Sequence, residues 1–246
     1  MSIKRFGLIG CQLSHSFSAN YFSAKFLREN LSNHIYQNFP IDTIYQFPNI
    51  LKQFCDIKGL NVTIPYKTSI VKYLDKLDPI AEKIGAVNTI QFQNNQLTGY
   101  NTDCHGFKKS FAPLLKPHHK KALVLGTGGA SLAVNYVLNE LNIQFVQVSR
   151  NPNVNQISYT QIDAALLSQY KIIINTTPVG MFPKIAECPQ IDYNLIDDKF
   201  LLYDLVYNPE ETLFLTKGKI HKATIKNGLE MLYLQAEKAW EIWNEV

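Results

Sequence analysis

The sequence predicts an α/β protein of two units, a mixed α/β unit first and then a unit built on a parallel, doubly wound sheet. Three observations carry this. Apolar runs of strand length alternate with stretches whose apolar residues recur at helical spacing. Ala122-Leu123-Val124-Leu125 is apolar at every position, as a strand buried on both faces requires, and leads through a glycine turn into a helical face. The length, 246 residues, suits one large domain or two small ones.

In the first unit, Arg5 to Ile9 reads as a strand ending at Gly10, and Phe17, Tyr21 and Ala24 then mark a helix. Further strands are predicted at Ile35 to Phe39, Gly59 to Ile64 and Ala86 to Phe92. After the Asn94-Asn95 turn another follows at Leu97 to Tyr100. The second unit begins beyond Pro113 and Pro117. Its strand Ala122 to Leu125 is followed by a helix with Ala130, Val134, Val137, Leu138 and Leu141 on one face, then by the strand Phe145 to Val148, which completes a βαβ unit. Lys171 to Ile174 and Phe200 to Leu205 supply two more strands for the same sheet. A last helix starts after Gly228 and carries Leu232, Ala236, Ala239, Trp240 and Trp243 along one stripe.

Composition excludes several classes. Hydrophobic residues make up 46%, which rules out disorder, and the low charged fraction of 18% is offset by 21 Asn and 14 Gln, which keep a surface wet without ions. The uncharged stretch from Ala122 to Asn139 contains Gly126, Gly128 and Gly129, whose backbone lipid would leave poorly held, so no membrane span is expected. The apolar run after Met1-Ser2-Ile3-Lys4-Arg5 is too short for the core of a secretory signal, and a cytoplasmic location is expected. Net charge is +4 with the basic residues scattered, except in the loop Lys116-Pro117-His118-His119-Lys120-Lys121, read as solvated; nucleic-acid binding is not expected. Cys11, Cys55, Cys104 and Cys188 have no paired spacing and read as free thiols. His15, His34, His105, His118, His119 and His221 form no ligand set, so no metal is expected.

The glycine turn carries the first functional signal. A strand that ends in Gly126-Thr127-Gly128-Gly129 and opens a helix at Ala130 presents unpaired N–H groups and the positive end of a helix dipole, the environment of a pyrophosphate. The unit is therefore read as Rossmann-like and dinucleotide-binding, against the alternative of a phosphate-free tight turn. Ser131 stands where the fingerprint has a third Gly or Ala. The next strand ends in Ser149-Arg150, where an NAD site wants a carboxylate; a hydroxyl and a guanidinium suit a 2′-phosphate, which favours NADP over NAD.

Several short motifs then coincide in one order. They are Leu13-Ser14-His15-Ser16, Asn61-Val62-Thr63-Ile64-Pro65-Tyr66-Lys67, Gly85-Ala86-Val87-Asn88-Thr89, Gly99-Tyr100-Asn101-Thr102-Asp103, the glycine turn itself, Asn175-Thr176-Thr177-Pro178-Val179-Gly180-Met181, Tyr207-Asn208-Pro209, and Gly228-Leu229-Glu230-Met231-Leu232 with Gln235. Together they resemble the shikimate dehydrogenase family over nearly the whole chain. The resemblance implies an N-terminal mixed α/β substrate domain over residues 1–103, completed by a C-terminal helix at 229–246. A Rossmann-like NADP-binding domain over 104–228 would complete the fold, with the active site in a cleft between the two. The implied reaction is the reversible, NADPH-dependent reduction of 3-dehydroshikimate to shikimate.

By that resemblance Ser14 and Ser16 bind the substrate carboxylate, Thr63, Asn88, Asp103 and Gln235 hold its ring hydroxyls, Tyr207 is a further substrate ligand, and Lys67 and Asp103 are the catalytic pair. Gly126, Gly128, Gly129, Ala130, Ser149, Arg150, Thr176, Met181 and Gly228 are implied to bind the cofactor. Reduction leaves negative charge on the former ketone oxygen, and Lys67 is the candidate proton donor. Taken singly these residues have plainer readings: Lys67 as a solvated lysine, Asp103 and Ser16 as helix N-caps, Gln235 as a boundary amide, Tyr207 as a half-buried aromatic and Arg150 as a solvated strand end. Leu132, where many relatives carry a basic residue, and Val154 offer no second cation for a 2′-phosphate. The other readings are a quinate or shikimate dehydrogenase that prefers NAD, and a non-catalytic ligand-sensing module. A monomer and a homodimer both fit the sequence.

Overall fold

The structure, a computed structural model, describes residues 2–11, 13 and 16–245. The chain forms two compact units, one of residues 1–102 with 236–246 and one of residues 103–235.

The first unit contains strands β1 (Lys4–Gly10), β2 (His34–Pro40), β3 (Ile57–Val62), β4 (Lys76–Leu77), β5 (Thr89–Gln93) and β6 (Gln96–Tyr100), with helices α1 (Phe17–Arg28), α2 (Phe47–Gln53) and α3 (Pro79–Ile84). Helix α1 starts where the sequence provides a cap, since the Ser16 hydroxyl accepts from the Ala19 N–H at 3.2 Å. Helix α3 is bracketed by Asp78, which accepts from Ile80 N and Ala81 N, and by Gly85 in the left-handed region. Asn94 and Asn95 both take positive φ, 52° and 59°, as the tight turn between β5 and β6 demands.

The strands lie in the order β2-β1-β3-β5-β6-β4. β2, β1 and β3 run parallel, while β5 pairs antiparallel with both β3 and β6. Two expected strands shift. The run from Ala86 forms β5 only from Thr89, because the Val87 N–H is spent on the Lys67 carbonyl (2.7 Å) and not on a neighbouring strand. The run from Gly59 is β3 from Ile57 and stops at Val62, short of Pro65, which has no N–H to give a ladder.

One core includes Ile9, Phe39, Phe47, Leu60, Ile70 and Ile90. Another joins Phe6, Phe22, Phe26 and Tyr36 to Ala236, Ala239 and Trp243. The last two apolar positions of the predicted C-terminal stripe are held by more than packing: Trp243 Nε1 donates to the Ile90 carbonyl at 2.9 Å, and Lys25, under a tenth exposed, lies over Trp240 while it pairs with Glu237.

The second unit contains α4 (Asp103–Phe111), β7 (Lys121–Leu125), α5 (Gly129–Glu140), β8 (Gln144–Val148), β9 (Gln156–Ile157), α6 (Ala164–Gln169), β10 (Ile172–Asn175), β11 (Leu201–Asp204), α7 (Leu213–Ile220) and β12 (Thr224–Lys226). Helix α8 (Leu229–Asn244) begins here and finishes in the first unit. All six strands are parallel, in the order β12-β11-β10-β7-β8-β9. This is the doubly wound Rossmann order, and it reverses between β7 and β10; ligands of open α/β sheets bind beyond the carboxyl ends of the strands at such a reversal.

The strands β10 and β11 are buried throughout and β7 is buried from Ala122 onward, as the apolar runs predict. The basic loop before β7 departs from its solvated reading at one residue. His119 is buried, its Nδ1 accepts from the Lys116 N–H at 3.0 Å, and its Nε2 lies 3.0 Å from the Lys199 carbonyl; burial holds its pKa below the ordinary histidine value. No helix of the described residues is long and apolar enough to cross a membrane, and no group of three His, Cys, Asp or Glu among them is placed to hold a metal ion.

Candidate active site

In the first unit the predicted substrate residues gather where β1 and β3 end and β5 begins. Thr63 follows β3, and its N–H donates to the Ile9 carbonyl at 2.9 Å. The next turn is closed by Tyr66 N donating to Thr63 O (2.9 Å). Lys67, half-buried, then receives Val87 N on its carbonyl, so Thr63, Lys67 and Asn88 are tied together although far apart in sequence. Ser16 sits at the start of α1 as its cap. Ser14, the other predicted carboxylate ligand, lies outside the described residues.

Asn88 is buried, and its amide is held on both ends. Its Oδ1 accepts from Thr102 N at 2.7 Å, and its Nδ2 donates to Thr102 Oγ1 at 3.0 Å. Behind it lies a polar chain that the sequence did not signal. Tyr36 donates to Asn61 Oδ1 (2.8 Å), and Asn61 Nδ2 donates to the Asn88 carbonyl (3.3 Å) and to Thr89 Oγ1 (3.2 Å). Burial drives the Tyr36 phenol far above the usual tyrosine pKa, so it stays protonated and keeps donating.

In the second unit Asp103 opens α4 as its first helical residue and is buried, so it is not the preceding cap residue that its position suggested. Helix α4 meets α8 closely: a β-carbon on Gly106 would stand 2.4 Å from the Met231 carbonyl and 3.1 Å from Gln235 N. Asp103 and Gln235 thus belong to one packed pair of helices. Gln235 is buried and its Nε2 donates to Leu232 O at 2.8 Å, which agrees with its boundary reading. Tyr207 is half-buried, and burial raises its phenol pKa.

The glycine turn is built as its sequence implies. Gly126 has φ +108°, and a β-carbon there would lie 2.8 Å from Thr176 Oγ1. Gly128 is the N-cap of α5, and a β-carbon on it would meet nothing within 4 Å, so the approach to the helix N-terminus is open. The first turn of α5 carries no acidic residue. Ser131, the departure from the fingerprint, is fully buried: its hydroxyl donates to Gly128 O at 2.7 Å, a closure that Gly or Ala cannot make. Gln147 of β8 reaches the same turn, with Nε2 3.3 Å from Ser131 Oγ and 3.4 Å from Gly126 O.

Beyond β8, Ser149 is half-buried with its hydroxyl accepting from Asn151 N (3.2 Å), and Arg150 is exposed. Thr176 donates through Oγ1 to Leu125 O at 2.7 Å and so bridges the ends of β10 and β7 at the topological reversal. Met181 is 45% exposed at the far end of the same loop. Gly228 lies beside Leu205, two residues before Tyr207. Backbone donors, a helix N-terminus free of acids and a strand-end guanidinium make a setting that fits a dinucleotide phosphate and an added 2′-phosphate.

Residues 8–90 match the family model described as the shikimate dehydrogenase substrate binding domain. A protein from Methanococcus vannielii named shikimate dehydrogenase (NADP(+)) is 36% identical over 96% of this chain and 90% of its own length. Among solved structures, shikimate dehydrogenase from Aquifex aeolicus superposes with a TM-score of 0.87 at 32% identity, covering 98% of this chain and 92% of that one. The Thermus thermophilus shikimate 5-dehydrogenase, solved in complex with NADP(H) and shikimate, gives 0.87 at 28% identity over 99% of this chain and 94% of its own. The likeness runs from end to end and includes both units, so this chain belongs to the shikimate dehydrogenase family.

Proposed function

We propose that this protein is an NADP-dependent shikimate dehydrogenase that catalyses the reversible reduction of 3-dehydroshikimate to shikimate. The observation that carries this is the kinship over 96% of the chain with a protein of that name, which includes the substrate-binding half and the Rossmann half alike.

NADPH, when bound, supplies the hydride. The work of the chain itself is to hold two molecules and to manage one proton. Gly126, Gly128, Gly129 and Ala130 offer backbone N–H groups and the α5 dipole to the pyrophosphate, and Ser149 with Arg150 meets the 2′-phosphate. Thr176, Met181 and Gly228 complete the cofactor surface. On the substrate side Ser14 and Ser16 take the carboxylate, while Thr63, Asn88, Tyr207 and Gln235 orient the ring through its hydroxyls. The paired hydrogen bonds between Asn88 and Thr102 support this role, because an amide whose plane is fixed pays little ordering cost when it binds.

Lys67 is assigned as the proton donor to the oxygen that gains charge, and Asp103 as its partner, which accepts from a substrate hydroxyl and so fixes the ring. Placement of Lys67 through its own carbonyl, at 2.7 Å from Val87 N, supports a defined position for its stem. We place the enzyme in the cytoplasm as a monomer or homodimer.

The test is an assay of the purified protein with shikimate and quinate against NADP and NAD, read as absorbance of the reduced nicotinamide. Turnover of shikimate with NADP is the expected result. Turnover with NAD alone would select the NAD-preferring reading, and shikimate binding without turnover the sensing module.

A further inference from the structure

Strands β10 and β11 end side by side, with Asn175 paired to Asp204 in the parallel register. Both residues are fully buried. Asp204 Oδ1 accepts from Asn175 Nδ2 (3.0 Å) and from Val206 N (3.0 Å), and its Oδ2 accepts from Thr212 Oγ1 (2.6 Å). Asn175 in turn grips the loop that follows it. Its Oδ1 accepts from Thr177 N (3.1 Å) and Thr177 Oγ1 (2.6 Å), and its Nδ2 also lies 3.3 Å from Val179 O. Thr212 caps α7 and accepts from Leu215 N at 3.4 Å.

The carboxylate therefore meets three donors and no acceptor. An amide in its place would keep one accepting oxygen and turn an NH2 toward Thr212. No cation shares the cost of this burial: among the described residues no Lys or Arg forms an ion pair with Asp204, and the titratable side chain that interacts with it is Tyr193, whose hydroxyl donates to Pro189 O at 2.9 Å. A buried, unpaired carboxylate is expensive, and a hydrophobic strand end would stabilise the unit more cheaply. The two segments it ties together are the loop with Thr176 and Met181 and the loop with Tyr207.

We propose that Asp204 is a positioning residue, whose carboxylate holds the loop after β10 and the loop after β11 in one register so that their ligand-binding side chains are presented together. This rests on the functional reading above, which gives those loops part of the cofactor surface and one substrate contact.

The experiment compares Asp204→Ala, Asp204→Asn and Asn175→Ala with Ile173→Val, a core substitution in β10 that lowers stability without touching either loop. In the cofactor-free chain, the amides of Thr177, Val179 and Val206 are expected to exchange at least tenfold faster in Asp204→Ala and to be unchanged in Ile173→Val. With shikimate and NADP, kcat is expected to fall about ten- to a hundredfold, as small misplacements do, while KM for NADP stays within about threefold because the pyrophosphate is held on β7 and α5. Asp204→Asn should recover part of the loss, since it keeps two of the three bonds. If Asp204→Ala does not fold, Asn175→Ala carries the same expectation. Exchange and kinetics that track Ile173→Val overturn the proposal. A wild-type chain without turnover overturns the functional reading, and the exchange rates still decide whether Asp204 orders the loops.

Discussion

Gly228 rests against Leu205 so closely that a β-carbon on it would stand 2.2 Å from the Leu205 carbonyl oxygen. The atom in the way is backbone, so it cannot swing aside as a side chain would. Gly228 N also donates to Val206 O at 3.2 Å and Leu232 N to Gly228 O at 3.0 Å, which makes this the seam between the end of β11 and the start of α8. Gly228→Ala is expected to cost at least about 2 kcal/mol and to lower the melting temperature by roughly 5 °C. Tyr207 lies two residues beyond Leu205, so KM for shikimate should rise as well. Thermal unfolding and steady-state kinetics check both, and a variant that melts like the wild type would show that the seam yields.

Gly126 separates cofactor binding from substrate binding. Its φ of +108° and the Thr176 and Thr177 side chains 2.8 Å from a would-be β-carbon both oppose any larger residue. Strain of about 1–2 kcal/mol at the turn that receives the pyrophosphate should weaken NADP about tenfold. Shikimate affinity should be untouched, because Thr63, Lys67 and Asn88 belong to the other unit. Titration of Gly126→Ala with NADP, followed by fluorescence, gives the answer; unchanged affinity would place the dinucleotide elsewhere.

Asp204 makes stability depend on pH in an unusual direction. Burial pushes its pKa up to about 6, only partly opposed by the bonds from Thr212, Val206 and Asn175, whereas in the unfolded chain it titrates near the ordinary aspartate value of 3.8. Between those values the folded chain holds the extra proton. Its contribution is therefore fully present below the unfolded value and is lost as pH rises through about 6, on the order of 3 kcal/mol in all. Comparing wild type with Asp204→Asn cancels the other titrating groups. The stability difference, wild type minus variant, should decline between pH 4 and roughly 7 and be flat above; a difference that grows with pH would mean that the carboxylate is ionised throughout.

Much of the fold was legible because its signals are local. The run Ala122 to Leu125, the helical face behind the glycine turn and the Asn94-Asn95 turn each announce themselves within a few residues, and β7, α5 and the β5–β6 hairpin form there. β4, β9 and β12 were not legible: strands of two or three residues exist only because a neighbour pairs with them, and they have no period of their own. The same contrast holds in the site. Ser16 could be read as a cap from its place before an apolar run, but the tie between Lys67 and Val87 depends on backbone bonding across the first unit. Asp204 did carry a sign, a carboxylate within the apolar run Leu201 to Val206; its partners Asn175 and Thr212 emerge only once β10 and β11 are paired. Long-range register was what the residues alone left open.

Lys67 is the assignment on which the chemistry turns, and its replacement distinguishes a proton donor from a binding residue. A general acid acts as charge develops on the reacting oxygen, so its loss is felt in the transition state far more than in the ground state. Lys67→Ala should lower kcat by about 10²–10⁴-fold and leave KM for shikimate within a few-fold. Folding should be little affected, because the contact that places the residue, Val87 N to Lys67 O at 2.7 Å, is made by backbone and survives the substitution. Far-UV circular dichroism would confirm that, and kinetics in both directions would measure the split. Equal losses in kcat and in affinity would make Lys67 a substrate ligand and send the search for the proton donor to another residue.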